Sequence, residues 1–148
     1  MKLTPAMEKE LNVTFTPFEE LIKTSDIISL HVPLTPITKR FMNKEVFLKM
    51  KKSAILINTS RGDVVNEEDL TWALKEGVIA GAGLDVLDQE PPKADNPLFQ
   101  FDNVVHTPHV AGGTVDNVAN VVRHAFGNIK RIVANEPLPE QDVIVAKK

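Results

Sequence analysis

The chain predicts an α/β fold, a doubly wound and mostly parallel sheet with flanking helices, on three observations. Short apolar runs rich in β-branched residues recur along it (DIISLHV, AILIN, VIAGAGLDV, NVVHT), as expected of strands buried on both faces of a parallel sheet. Segments with helical apolar spacing separate these runs. A polar turn follows each of them (VPLTP, TSRGD, LDQEPP, TPHVAGG). Such alternation implies right-handed crossovers, which gather the turns on one sheet edge, where α/β proteins place their sites.

Taken in order, Phe18 to Thr24 puts Phe18, Leu21 and Ile22 on one side of a short helix. Asp26 to Val32 follows as a strand, and Pro33 and Pro36 then force a loop. Asn43 is placed to cap a helix, NKEVFLKM, with Val46, Phe47 and Met50 inward. Ala54 to Asn58 reads as the second strand. Asn66 opens a further helix with acids in its first turn, Leu70, Ala73 and Leu74 as its apolar stripe and Gly77 as its stop. Val78 to Val86 is the third strand, its small residues allowing close backbone approach. A Pro-rich loop leads to the fourth strand, Asn103 to Thr107. Thr114 to Glu136 spaces Val115, Val118, Val122, Phe126, Ile129 and Val133 as a long helix, and the tail PLPEQDVIVAKK reads as extended.

With 148 residues the chain can build one domain with a substantial core. A net charge of -3 and no basic stripe argue against a nucleic-acid partner. The absence of cysteine excludes disulfides, thiolate metal sites and thiol nucleophiles, and no metal is expected. No apolar run reaches membrane-spanning length, and MKLTPAMEKELNV lacks the apolar stretch of a signal peptide. A cytoplasmic location is therefore expected.

Three strand-end loops carry candidate chemistry. Arg61 offers a fixed fork of donors suited to a carboxylate, or is a surface arginine in a turn. Glu90, ahead of Pro91 and Pro92, is either a partner for a histidine or a solvated loop acid. His109, after Pro108, is a natural proton donor near neutral pH. His106 points into the sheet or to solvent, His31 is a core or cofactor-wall residue, and His124 has no assigned role. Asp85 either accepts from a carboxamide or caps the next loop. A cation, a carboxylate and an imidazole on successive strand ends are what reduction of a 2-keto acid needs: a carboxylate grip, a proton donor and a group that orients the donor.

The stretches SDIISLHVPLTPITKRFMNKEVF, LINTSRGDVVNEEDL, GAGLDVLDQEPP and NVVHTPHVAGGT resemble the D-isomer-specific 2-hydroxyacid dehydrogenases, in family order and across roughly residues 18 to 135. The resemblance implies a partial Rossmann domain that uses NAD and acts on a small 2-keto or 2-hydroxy acid. It implies that Arg61 binds the substrate, that His109 is the general acid, and that Glu90 hydrogen-bonds His109 and favours its charged form. Val32, Pro33, Thr59, Ser60, Arg61, Asp85, His109 and Gly112 would contact the cofactor, Asp85 at the nicotinamide carboxamide. Glu90 rather than glutamine argues against the formate dehydrogenase branch.

One departure bears on activity. The seven glycines, at 62, 77, 81, 83, 112, 113 and 127, make no G-x-G-x-x-G turn, and the family's substrate domain is not expected here beyond a remnant in the tail. The expectation is a partial NAD-binding domain, residues 1–148, from a truncated dehydrogenase. It would be inactive alone and weak in cofactor binding, or else serve as a non-enzymatic half-domain or one half of a split enzyme. An unprotected DIISLHV edge would favour a homo-oligomer, by strand pairing or an exchanged element.

Overall fold

A computed structural model describes residues 3–143. The chain forms two compact units, the first ending at His109 and the second starting at Val110.

In the first unit, local sequence sets most element ends. The Thr4 side chain accepts from the Met7 amide, and Pro5 sits in the first turn of helix α1 (Pro5–Leu11), which buries no residue. Helix α2 (Phe18–Thr24) buries Ile22 and leads to strand β1 (Ile27–Leu30). Asn43 caps α3 (Lys44–Phe47) by accepting from the Val46 amide, and β2 (Ile55–Asn58) follows. Asn66 caps α4 (Glu67–Lys75) through the Asp69 amide. Gly77, at φ 61°, takes the left-handed turn beyond it. Strands β3 (Gly81–Leu84) and β4 (Val104–His106) complete the sheet.

The strands run in the order β1-β2-β3-β4, and each neighbouring pair is parallel. Register keeps their C-terminal ends level: Leu30 pairs with Asn58, Asn58 with Leu84, and Leu84 with His106. Since same-level residues in a parallel sheet point the same way, Ile28, Leu30, Leu56, Ala82 and Leu84 share a face. That face packs with Ile22, Phe47, Leu70 and Leu74 into one core.

Two expectations are corrected. The strands were expected to be buried on both faces, yet Ile27 is 64% exposed, Ile55 38% and Val105 69%. The cause is that α2, α3 and α4 send their buried side chains into a single cluster with the opposite face. The third strand was expected from Val78, but the Val78 amide donates back to Ala73 at the end of α4, and the strand starts only at Gly81, after the Ala80 amide has reached the Ala54 carbonyl. Close approach falls at Gly81, where a Cβ would lie 2.5 Å from the Asn103 carbonyl oxygen.

The second unit contains α5 (Val115–Val133), with Thr114 as N-cap residue. None of its residues is buried, and Val118, Val122, Phe126 and Ile129 are exposed. Where an extended tail was expected, Glu140–Asp142 form a 3-10 turn, tied to α5 by Asp142 contacts with His124 at 2.8 Å and Asn128 at 3.0 Å. The last five residues of that tail lie outside the described residues. Among the described residues no helix is long and apolar enough to cross a membrane.

Candidate active site

The level strand ends put the predicted residues along one sheet edge. Val32 and Pro33 follow β1, Thr59 to Arg61 follow β2, Asp85 follows β3 directly, and His109 stands three residues past the end of β4. Neighbouring strands in a sheet lie roughly 4.8 Å apart, so the four strand ends lie within roughly 14 Å along this edge.

His109 and Glu90 meet. The imidazole Nδ1 lies 2.6 Å from Glu90 Oε2, and Glu90 Oε1 accepts from the Leu87 amide at 3.1 Å. With Nδ1 facing a carboxylate, Nδ1 carries a proton and Nε2 is left for another partner. The His109 hydrogen bond holds the Glu90 carboxyl below the usual glutamate range, with the Leu87 amide adding to it against desolvation. The His109 backbone is left-handed, at φ 54°, and its amide donates to the Asp85 carbonyl at 2.9 Å and the Thr107 carbonyl at 3.0 Å. The Asp85 side chain is buried and accepts from the Thr107 hydroxyl. A cavity of about 500 Å³ opens here, with Asp85, Glu90 and His109 beside Leu87, Pro91, Pro92 and Phe99. Apolar walls with a few convergent polar groups suit a small-molecule ligand.

The turn after β2 is shaped by Asn58, which is 1% exposed. Its Oδ1 accepts from the Ser60 amide and hydroxyl, and its Nδ2 donates to the Arg61 carbonyl at 3.0 Å. A buried amide hydrogen-bonded at both its oxygen and its nitrogen fixes a turn of this size. The Arg61 side chain is exposed and donates to the Ser60 carbonyl at 2.6 Å. A second cavity of about 510 Å³ is lined by His31, Val32, Pro33, Leu34, Thr59, Ser60 and Arg61.

The nine predicted contacts therefore fall into groups. Val32, Pro33, Thr59, Ser60 and Arg61 line one cavity, and Asp85, Glu90 and His109 line the other. Gly112 lies in the second unit, where its carbonyl accepts from Asn117. His31 is not a core residue: it is exposed at the cavity wall, with Nε2 2.8 Å from the Ser29 hydroxyl. His106 is half-buried, edge-on to Phe99 and 3.3 Å from the Leu98 carbonyl.

Sequence reasoning missed the residues that join the turns. Gly62 is buried under the Glu90 loop: a Cβ there would lie 2.0 Å from the Leu87 carbonyl oxygen. Arg40 reaches Asp63 at 3.5 Å and Asp88 at 3.4 Å. Burial pushes the Asp88 carboxyl up to about 6, with Glu67 and Asp63 adding and Arg40 and Lys39 opposing. The only sequence signal for Asn58 is a lone polar residue closing an apolar strand; Gly62 and Asp88 carry none.

A parallel α/β sheet with an imidazole–carboxylate pair and a guanidinium on its C-terminal edge places candidate chemistry where open α/β sheets bind their ligands. Residues 2–111 match the family described as D-isomer specific 2-hydroxyacid dehydrogenase, NAD binding domain, and the chain belongs to that family. It is 48% identical over 128 residues to a glyoxylate reductase of Thermofilum pendens, covering 86% of this chain and 38% of that protein. It is 46% identical over 130 residues to a glycerate dehydrogenase of Methylorubrum extorquens, covering 86% of this chain and 40% of that one. Among solved structures, an NAD-complexed D-isomer specific 2-hydroxyacid dehydrogenase of Lactobacillus delbrueckii ssp. bulgaricus superposes with a TM-score of 0.83 at 36% identity, covering 94% of this chain and 45% of that one. The chain thus spans about two fifths of the length of these curated relatives. NAD is the family's cofactor.

Proposed function

We propose that this chain supplies the catalytic half of an NAD-dependent 2-hydroxyacid dehydrogenase site, for reduction of a small 2-keto acid to the D-2-hydroxy acid. The observation that carries the reading is the 2.6 Å His109–Glu90 pair beside a small apolar-walled cavity. Arg61 grips the substrate carboxylate with its planar fork of donors. His109 delivers the proton from Nε2 to the carbonyl oxygen, while Glu90 orients the ring through Nδ1 and stabilises its positive charge. The bound reduced nicotinamide supplies the hydride that completes the reduction.

The residues fit that cofactor. The second cavity has an apolar floor (Val32, Pro33, Leu34) and hydrogen-bonding groups on its rim (Thr59, Ser60, Arg61), and the buried Asp85 carboxylate is an acceptor matched to a carboxamide. The 148 residues include no G-x-G-x-x-G turn, so the chain offers the nicotinamide end and binds NADH weakly when alone. Titration with NADH, followed by amide NMR, tests the assignment. Shifts at Val32, Ser60 and Asp85 are expected at millimolar NADH, with a further glyoxylate-induced shift that Arg61→Ala abolishes. Absence of any NADH shift at these three residues would refute it.

A second reading, a self-associating module that does no chemistry, is favoured by the exposed apolar face of the sheet at Ile27, Ile55 and Val105. Strand β1 also stands at the sheet edge with one side unpaired among the described residues. The expected assembly is a homo-oligomer.

A further inference from the structure

We infer that Glu67 is a positioning residue for the His109–Glu90 pair, acting as a clamp on both ends of the loop that carries Glu90. The inference rests on the reading above for its functional meaning, and on independent contacts for its geometry.

Glu67 is the first residue of α4 and is half-buried. Its two carboxylate oxygens are used separately. Oε2 accepts from the Asp88 amide at 3.0 Å, and Oε1 accepts from Asn96 Nδ2 at 2.6 Å. Asp88 and Asn96 bracket the Pro-rich loop, so one side chain ties down its entry and its exit. Both anchors are firm. Asn66 caps α4, and Leu70 and Leu74 bury it. Asn96 in turn accepts from the Leu98 amide at 2.9 Å, and Leu98 is fully buried.

The entry tie acts on the catalytic pair through one peptide. Holding the Asp88 amide fixes the plane of the Leu87–Asp88 peptide, whose carbonyl lies over Gly62. The adjoining Leu87 amide is the donor to Glu90 Oε1, which leaves Oε2 for His109. A loop of this length without the clamp would sample many conformations, and fixing both of its ends restricts that sampling. A carboxylate suits this role better than an amide, since it accepts at both oxygens and two donors must be satisfied at once.

The test follows the Glu90 carboxyl carbon by NMR pH titration in the full chain. Glu67→Gln keeps the shape and one acceptor; Glu67→Ala removes both. The expected result is an upward shift of the Glu90 midpoint toward the ordinary glutamate range in Glu67→Gln, larger in Glu67→Ala, as His109 is lost as a partner. The direction separates the mechanisms. If Glu67 acted only as a nearby negative charge, its removal would ease ionisation and move the midpoint down. A Glu90 midpoint that is unchanged or lower in folded Glu67→Gln would overturn the inference, and Glu68→Gln, an exposed neighbour, serves as the unshifted control. This readout needs no turnover, so it stands even if the chain proves inactive. Where the wild type does turn over, kcat should fall by roughly tenfold or more with the NADH response at Ser60 unchanged.

Discussion

Replacing Gly62 with alanine should separate the Arg61 turn from the Glu90 loop. The added Cβ would lie 2.0 Å from the Leu87 carbonyl oxygen, 2.1 Å from its carbon and 2.5 Å from the Asp88 nitrogen. Non-bonded heavy atoms settle near 3.5 Å, so the two segments must part by about 1.5 Å. Neither side can yield by rotating a side chain, because all three obstructing atoms are backbone. Overpacking costs typically 1–3 kcal/mol, and a backbone-on-backbone clash at a buried position belongs at the upper end, about 3 kcal/mol. With a urea dependence of about 2 kcal/mol/M, the unfolding midpoint should drop by about 1.5 M. The Leu87 amide resonance should move as its hydrogen bond to Glu90 opens, and a misplacement on this scale can lower turnover about 100-fold. Equilibrium urea unfolding and amide NMR of the variant decide the matter. An unchanged midpoint together with an unmoved Leu87 resonance would refute the claim that the two turns are locked through this contact.

Two other outcomes are expected. Because burial raises Asp88 from 3.8 to about 6, the folded chain binds that proton more tightly than the unfolded chain. Its stabilisation is therefore complete below 3.8 and lost as the pH rises through about 6. The full shift is worth roughly 3 kcal/mol, and solvent screening of the partly exposed side chain lowers this to about 1 kcal/mol. Asp88→Asn should thus gain about 1 kcal/mol relative to wild type between about pH 4 and 7 in parallel urea titrations, and a pH-independent difference would refute the assignment. Ile27→Lys places a charge on the exposed sheet edge and should shift sedimentation from oligomer toward monomer; a wild type that is already monomeric at high concentration counts against self-association.

Most of the fold was legible because periodicity and punctuation agreed. Phe18 to Thr24, capped α4 and a strand within each of the four apolar runs appear where composition places them, the third strand starting three residues late at Gly81, and the ends of α4 are fixed by Asn66 and Gly77. Helix α1 escaped notice because nothing in it is buried, so it has no apolar stripe; its sole signal is Thr4 before Pro5. Burial on both sheet faces was over-read, since an apolar run states that a strand is sticky, not which neighbours cover it. The site was legible one residue at a time: Arg61, Glu90 and His109 stand out as polar groups at strand ends. What holds them was not. Glu67 meets Asp88 across 21 residues and Asn96 across 29, and no local pattern encodes pairings over such separations. Gly62 carries no sign of the Leu87 carbonyl above it until the strands are in register.

The backbone at His109 has a consequence for how this chain can change. A histidine at φ 54° occupies a conformation that glycine and asparagine accept more readily, at a cost of about 1 kcal/mol or more. The turn that aims the imidazole at Glu90 is thus one that substitution tends to relax. Drift toward glycine there would leave a sturdier chain without the imidazole that pairs with Glu90. Selection for persistence alone and selection for chemistry therefore pull this one position in opposite directions. Screens for heat-resistant variants of this chain would enrich losses at His109 unless turnover were scored alongside.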